Sequence, residues 1–161
     1  MSKLNKGMFS SNNQKWETPQ ELFDKLNNVF NFEVDIAADD ETAKCPIYYT
    51  EENDGFKKEW KEVCWCNPPY GRYQIEWVKR ANEQVKKYNN TIVMLIPARP
   101  DTKVWHEQIF KDATVICFIK GRLKFGGSKD AAPFPSALIV FGDITKEQEE
   151  ALREFGAVIK N

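Results

Sequence analysis

The stretch Cys64-Trp65-Cys66-Asn67-Pro68-Pro69-Tyr70 constrains this chain more than any other. An apolar, strand-like run ends there on two adjacent prolines. Proline locks φ at about −65° and carries no N–H, so a sheet ladder must stop at this point. Asn67 precedes a proline and is held extended. The product is a stiff loop at a strand end that presents a short amide and an aromatic ring. Such a loop suits a planar, amine-bearing group. The Asn67 side-chain oxygen and a proline carbonyl each accept one N–H of an exocyclic NH2, and Tyr70 lies on the ring face.

The 161 residues are enough for one domain with a proper core. The aromatic share of 13% argues against disorder. No apolar run approaches the roughly 20 residues that span a bilayer. Met1-Ser2-Lys3-Leu4-Asn5-Lys6 lacks the apolar core of a signal peptide. A cytoplasmic protein is therefore expected, with no membrane partner, as a monomer or weak dimer. Cys64 and Cys66 alternate on one strand, the wrong spacing for a zinc knuckle. With Cys45 and Cys117 they read as buried free thiols, and no metal is expected.

The net charge of −1 conceals an asymmetry. Residues 17–62 hold thirteen Asp/Glu and five Lys/Arg, whereas residues 63–131 hold six and twelve. An acidic part followed by a basic part suits a protein with a cationic small molecule at one end and a polyanion at the other. On charge alone, two ordinary solvated surfaces are the better explanation.

Residues 1–15 are polar and read as a flexible arm, which leaves 16–161 as the domain. Thr18-Pro19-Gln20-Glu21 reads as a capping box, with Thr18 as N-cap and Pro19 at the first helical position. Leu22, Phe23, Leu26 and Phe30 recur at helical spacing behind it. A strand is expected over 32–36, with Asp35 at its C-terminal end beside the small Ala37. A carboxylate there can take the hydroxyls or ammonium of a ligand, or simply cap a turn. A short strand over 45–50 leads to the turn 51–56, where Asp54 offers acceptors for an amine and Phe56 a flanking ring; an Asx turn is the plain alternative.

An amphipathic helix follows over 73–88, with Ile75, Val78, Ala81 and Val85 inward. The run 91–96 reads as a strand buried on both faces. A short helix over 102–110 is expected to bury Trp105, Ile109 and Phe110. His106, the single histidine, reads as structural or exposed. Strands over 114–119 and 136–141 bracket a basic, glycine-rich, aromatic-tipped loop, a plausible nucleic-acid contact or a flexible connection. Thr145-Lys146-Glu147-Gln148 is a second capping box. Gly156 ends that helix, and 157–159 can add an edge strand. This alternation points to an α/β sandwich with a mostly parallel sheet and an antiparallel strand near the C-terminus. In a parallel sheet, Asp35, Asp54 and Asn67 converge at one edge.

Asn67-Pro68-Pro69-Tyr70 resembles the catalytic tetrapeptide of S-adenosylmethionine-dependent amino methyltransferases. A wider set resembles the short phage and prophage DNA N6-adenine methyltransferase (Dam) family. It comprises Trp16-Glu17-Thr18-Pro19, Val34-Asp35-Ile36-Ala37-Ala38, Asp54-Gly55, Trp65 to Tyr70, Lys120-Gly121-Arg122-Leu123-Lys124-Phe125 and Pro133 to Leu138. It covers roughly residues 14–143. The resemblance implies a Rossmann-like class I methyltransferase sandwich in a bacterial host cell, with S-adenosylmethionine as cofactor and DNA as partner. It implies Asn67, Pro68, Pro69 and Tyr70 as the catalytic loop. Thr18, Asp35, Ala37, Asp54 and Phe56 would form the cofactor pocket, and Arg72, Arg99, Arg122, Lys124 and Phe125 would meet DNA. The chain departs from larger methyltransferases in having Ala37-Ala38-Asp39-Asp40 in place of a glycine-rich cofactor loop. Methylation of RNA or of protein glutamine, or a silent DNA-binding relative, are the competing expectations. With no room for a separate recognition domain, any target selectivity is expected in the 121–135 loop.

Overall fold

Apolar side chains that alternate between two separate cores dictate the architecture of residues 16–161, the part of the chain that the computed structural model describes. The expected arm over 1–15 lies outside the described residues. Helix α1 (Gln20–Phe30) is followed by strands β1 (Val34–Asp35) and β2 (Ile47–Tyr48), a 3-10 turn (Gly55–Lys57) and β3 (Cys64–Cys66). Then come α2 (Gln74–Tyr88), β4 (Ile92–Pro97), a π-helical stretch (Trp105–Ile109) that continues as α3 (Phe110–Asp112), and β5 (Val115–Ile119). Strand β6 (Ser136–Phe141), helix α4 (Lys146–Arg153) and strand β7 (Gly156–Lys160) complete it.

The seven strands form one sheet in the order β2-β1-β3-β4-β6-β5-β7. β1 pairs in parallel with β2 and β3, and β3 with β4. β6 inserts antiparallel between β4 and β5, and β7 adds an antiparallel edge beside β5. Strands β1 to β5 therefore run one way, in keeping with the mostly parallel sheet expected, and two strands rather than the one expected, β6 and β7, are reversed. Along the strands side chains alternate strictly, as the two-residue period requires. Cys64, Cys66, Ile92, Met94, Ile96, Ile139 and Phe141 face a core with Trp77 and Val78 of α2 and with Trp105. Trp65, Val93, Leu95, Cys117, Leu138 and Val140 face the other core, shared with α1 and Leu152 of α4. All four cysteines are buried and free.

Three local expectations change. The first helix starts at Gln20, and Pro19 occupies the N-cap with no side-chain cap hydrogen bond. Losing a side-chain cap costs a helix about 1 kcal/mol. Burying Leu22, Phe23, Leu26 and Phe30 is worth about 1.5–3 kcal/mol each, so packing decides and Thr18 is free for another partner. The second is Phe110, which is 39% exposed. The π turn before it holds an extra residue, which rotates the following positions on the helix surface and sets Phe110 outside Trp105. The third is the loop after β5. Phe125 is 1% exposed, so its ring is packed inward rather than presented at a tip. The capping box at Thr145 forms as expected, with both reciprocal hydrogen bonds.

Gly55 shows how tightly the β1 end is packed. A Cβ on it would lie 2.0 Å from the Ile36 carbonyl oxygen. Its own carbonyl accepts from the buried Trp60 indole at 2.8 Å. Gly55→Ala is therefore expected to cost about 2 kcal/mol through overpacking. In a chain of this size that lowers Tm by about 4–8 °C; an unchanged melting curve would contradict the close approach.

Candidate active site

Parallel β1 and β3 deliver Asp35 and Asn67 to the same edge of the sheet, where a ligand site is expected beyond the strand ends. A cavity of about 460 Å³ opens there. Its size lies within the range of about 300–1,000 Å³ usual for small-molecule sites. Trp16, Thr18, Asp35, Ala37, Trp65, Asn67, Pro68, Pro69 and Gly126 line it, together with the acidic residues Glu17, Asp39, Asp40, Glu51 and Glu52 and the cation Lys44.

Asn67 is oriented by the segment in front of α1. Its Nδ2 donates to the Trp16 carbonyl and, at 3.1 Å, to the Thr18 hydroxyl. Turning the amide over would set two carbonyl oxygens against each other, so the network assigns the amide one way round. Both amide hydrogens are then used, and Oδ1 is buried with no hydrogen-bond partner. The Trp16–Glu17 segment is itself held by an antiparallel bridge to Gly126, with Gly126 N–H donating to the Glu17 carbonyl at 2.9 Å. A Cβ at Gly126 would fall 2.5 Å from the Glu17 carboxylate carbon, so a larger residue there would push the Glu17 side chain aside.

Asp35 is 3% exposed. Its Oδ2 accepts the Lys44 backbone N–H at 3.0 Å, and its Oδ1 has no partner. Burial pushes its carboxyl up to about 6, with the backbone N–H groups of Lys44 and Ala37 and the Lys44 charge pulling part of the way back. Asp39 caps the turn beyond, accepting from the N–H groups of Glu41 and Thr42, and Asp40 accepts from the Tyr48 hydroxyl. Trp65, wholly buried, carries a third orphaned polar atom at the cavity, its Nε1–H.

Tyr70 stands behind this wall. It is 5% exposed, and its hydroxyl donates to the Leu95 carbonyl at 3.3 Å. Phe125 and Phe134 meet it edge-on, and Trp16 packs on both of those rings. The Arg99 guanidinium lies 5.7 Å from the Phe134 ring centre, and Arg72 stacks on Tyr73. Arg122 donates to the Ala132 carbonyl, and Lys124 is exposed. These four cations sit on segments around the aromatic cluster.

Of the residues singled out from sequence, Thr18, Asp35, Ala37, Asn67, Pro68 and Pro69 line one cavity. Asp54 and Phe56 do not, and Tyr70, expected to present its ring face, is buried behind the lining. Asp54 takes a left-handed φ of 50° at the head of the 3-10 turn, and Phe56 packs edge-on against Trp77. Glu17 and Lys44 were not singled out. Glu17 was hidden in a motif read as a helix start, and Lys44 has no local signature nine residues after Asp35. His106 is exposed, and among the described residues no cluster suited to a metal ion occurs. No helix among them is long and apolar enough to cross a membrane.

A family model described as DNA N-6-adenine-methyltransferase (Dam) matches residues 6–154. The chain is 35% identical over 111 residues to a DNA N-6-adenine-methyltransferase of Escherichia phage T1, covering 67% of this chain and 45% of that protein. It thus spans under half the length of that relative. It is 30% identical over 148 residues to the DNA N-6-adenine-methyltransferase of Haemophilus phage HP1, covering 83% of this chain and 84% of that protein. A putative methyltransferase of Escherichia coli K12, YfdM, is 34% identical over 64 residues, 35% of this chain and 70% of that protein.

The Asp35 environment makes a pH prediction. Its carboxyl ionises near 3.8 when unperturbed and near 6 in the fold. The folded state therefore binds the proton more tightly, and the stability so gained is lost as pH rises from about 4 to about 6. Asp35→Asn removes this slope, and the gap between variant and wild-type stability shifts in the variant's favour by up to about 3 kcal/mol across that window. Thermal unfolding at a series of pH values reads it directly, and curves that stay parallel would refute the buried-carboxylate account.

Proposed function

The chain belongs to the DNA N-6-adenine-methyltransferase (Dam) family, and from that membership we propose that it transfers a methyl group from S-adenosylmethionine to the N6 amine of adenine in DNA. The observation that carries this reading is the Asn67 amide. Both its hydrogens are spent on Trp16 and Thr18, and its oxygen is left as a buried acceptor without a partner. An unpaired buried acceptor costs about 1–3 kcal/mol, which a donor from the substrate removes. The adenine amine is such a donor.

That amine is a poor nucleophile because its lone pair is delocalised into the ring. Asn67 Oδ1 and the Pro68 carbonyl accept its two hydrogens and favour a pyramidal nitrogen, which localises the lone pair. The rigid Pro68-Pro69 backbone holds the two acceptors at fixed separation, so orientation supplies much of the acceleration. No strong base is required before attack, in keeping with a site built without histidine. The base must leave the duplex to reach a loop so far recessed. Of the cluster of Tyr70, Phe125, Phe134 and Trp16, the first three rings are buried against one another, and Trp16, which lines the cavity, is the ring surface open at that point. Arg72, Arg99, Arg122 and Lys124 supply phosphate contacts around it.

The cavity fits S-adenosylmethionine in size and charge. Six carboxylates and one ammonium line it, which suits a ligand with two positive groups and one negative. Asp35 Oδ1, buried without a partner, accepts from a ribose hydroxyl. Thr18 and Ala37 shape the wall beside it. When bound, this cofactor supplies an electrophilic methyl group on a sulfonium centre.

Transfer of labelled methyl groups to unmethylated plasmid DNA tests the reading. Asn67→Ala is expected to lower kcat by at least about a hundredfold, the scale of losing one transition-state hydrogen bond. Cofactor affinity is expected to stay within a few-fold. Label that enters RNA or protein and never DNA, or a variant as active as the wild type, would overturn it.

A further inference from the structure

Lys44 is the single cation that lines the cavity among the described residues, against six carboxylates. Its side chain is only 5% exposed. The ammonium donates to Gln20 Oε1 at 2.8 Å, and its distance to the Glu17 carboxylate is 3.6 Å, a loose ion pair beyond a direct hydrogen bond. An ammonium has three N–H donors. Among the described residues, Gln20 is the one hydrogen-bond acceptor of this one. A nearly sealed cation with donors to spare is costly unless something completes it.

We propose that Lys44 and Glu17 form the recognition site for the α-amino-acid end of the cofactor, with Lys44 taking its carboxylate and Glu17 its ammonium. This rests on S-adenosylmethionine as the ligand of the cavity. Three observations converge on it. The charges of a zwitterion are the mirror of a lysine–glutamate pair. The pair is already separated, so a ligand inserts without first breaking a tight contact. Its place also suits the chemistry, because Glu17 lies between Trp16 and Thr18, the two residues that hold the Asn67 amide. The amino-acid end of the ligand is thus anchored one residue from the groups that aim the catalytic oxygen. Other acids that line the cavity, Asp35, Asp40, Glu51 and Glu52, face the nucleoside end and the sulfonium charge.

Calorimetric titration with S-adenosylmethionine and with its decarboxylated analogue, which keeps the sulfonium and the amine, separates the roles. Wild-type protein is expected to prefer the full cofactor by about tenfold to a hundredfold, the scale of one buried charged hydrogen-bonded pair. Lys44→Met removes that preference and leaves the affinity for the analogue within about threefold, while Lys44→Arg retains part of it. Glu17→Gln weakens both ligands equally and keeps the preference, since both carry the ammonium. A wild-type protein without the preference overturns the clamp whatever the variants do. So does a Lys44→Met protein that keeps the preference, or one that loses both ligands alike, which would make Lys44 a structural tether. A wild-type protein that binds neither ligand sinks the S-adenosylmethionine reading itself, and the clamp with it.

Discussion

The orientation of one amide organises this molecule. Asn67 lies at the end of β3, where two prolines stop the strand, and its two N–H groups are taken by the Trp16 carbonyl and the Thr18 hydroxyl. Those acceptors come from a segment far away in sequence, which is held in turn by its bridge to Gly126 on the loop after β5. Two stretches of chain therefore meet at one side chain, and a third holds one of them in place. The consequence is chemical: a carboxamide that would ordinarily satisfy itself with water is left with one free, buried acceptor.

The same segment links the two halves of the site. Trp16 packs on Phe125 and Phe134, which brace Tyr70 on the side of the basic residues. Glu17, the next residue, faces Lys44 on the acidic side. Thr18 holds the amide between them. The charge asymmetry of the chain, acidic over 17–62 and basic over 63–131, thus has a spatial counterpart on either side of residues 16–18. The proposed function assigns the cationic methyl donor to the acidic side and the polyanion to the basic side.

The energetics explain why this segment is spare for such work. Helix α1 gains its stability from Leu22, Phe23, Leu26 and Phe30 against β3 and β4, so it does without a side-chain cap. That frees Thr18. At Asp35 the balance goes the other way: burial beside β3 raises its carboxyl to about 6, and one oxygen stays unpaired. Both are local costs at the site, offset by two well-packed cores.

Much was legible in the sequence because the signals are local. Prolines at 68 and 69 must end a strand. Continuous apolar runs at 92–97 and 136–141 must bury both faces, and the Thr145 box must cap a helix. Parallel β1 and β3 then bring Asp35 and Asn67 to one edge. Sequence could not show which of two valid uses a residue would serve. Thr18 makes an equally good cap or amide acceptor, and only the position of Asn67, 49 residues on, decides between them. Phe125 reads as an exposed tip until the partners that bury it are in place, and Lys44 reads as a surface lysine until Glu17 and Gln20 enclose it. Local chemistry determines where a chain must turn, extend or cap. Which polar groups are left without partners depends on residues distant in sequence, and only the tertiary structure decided that.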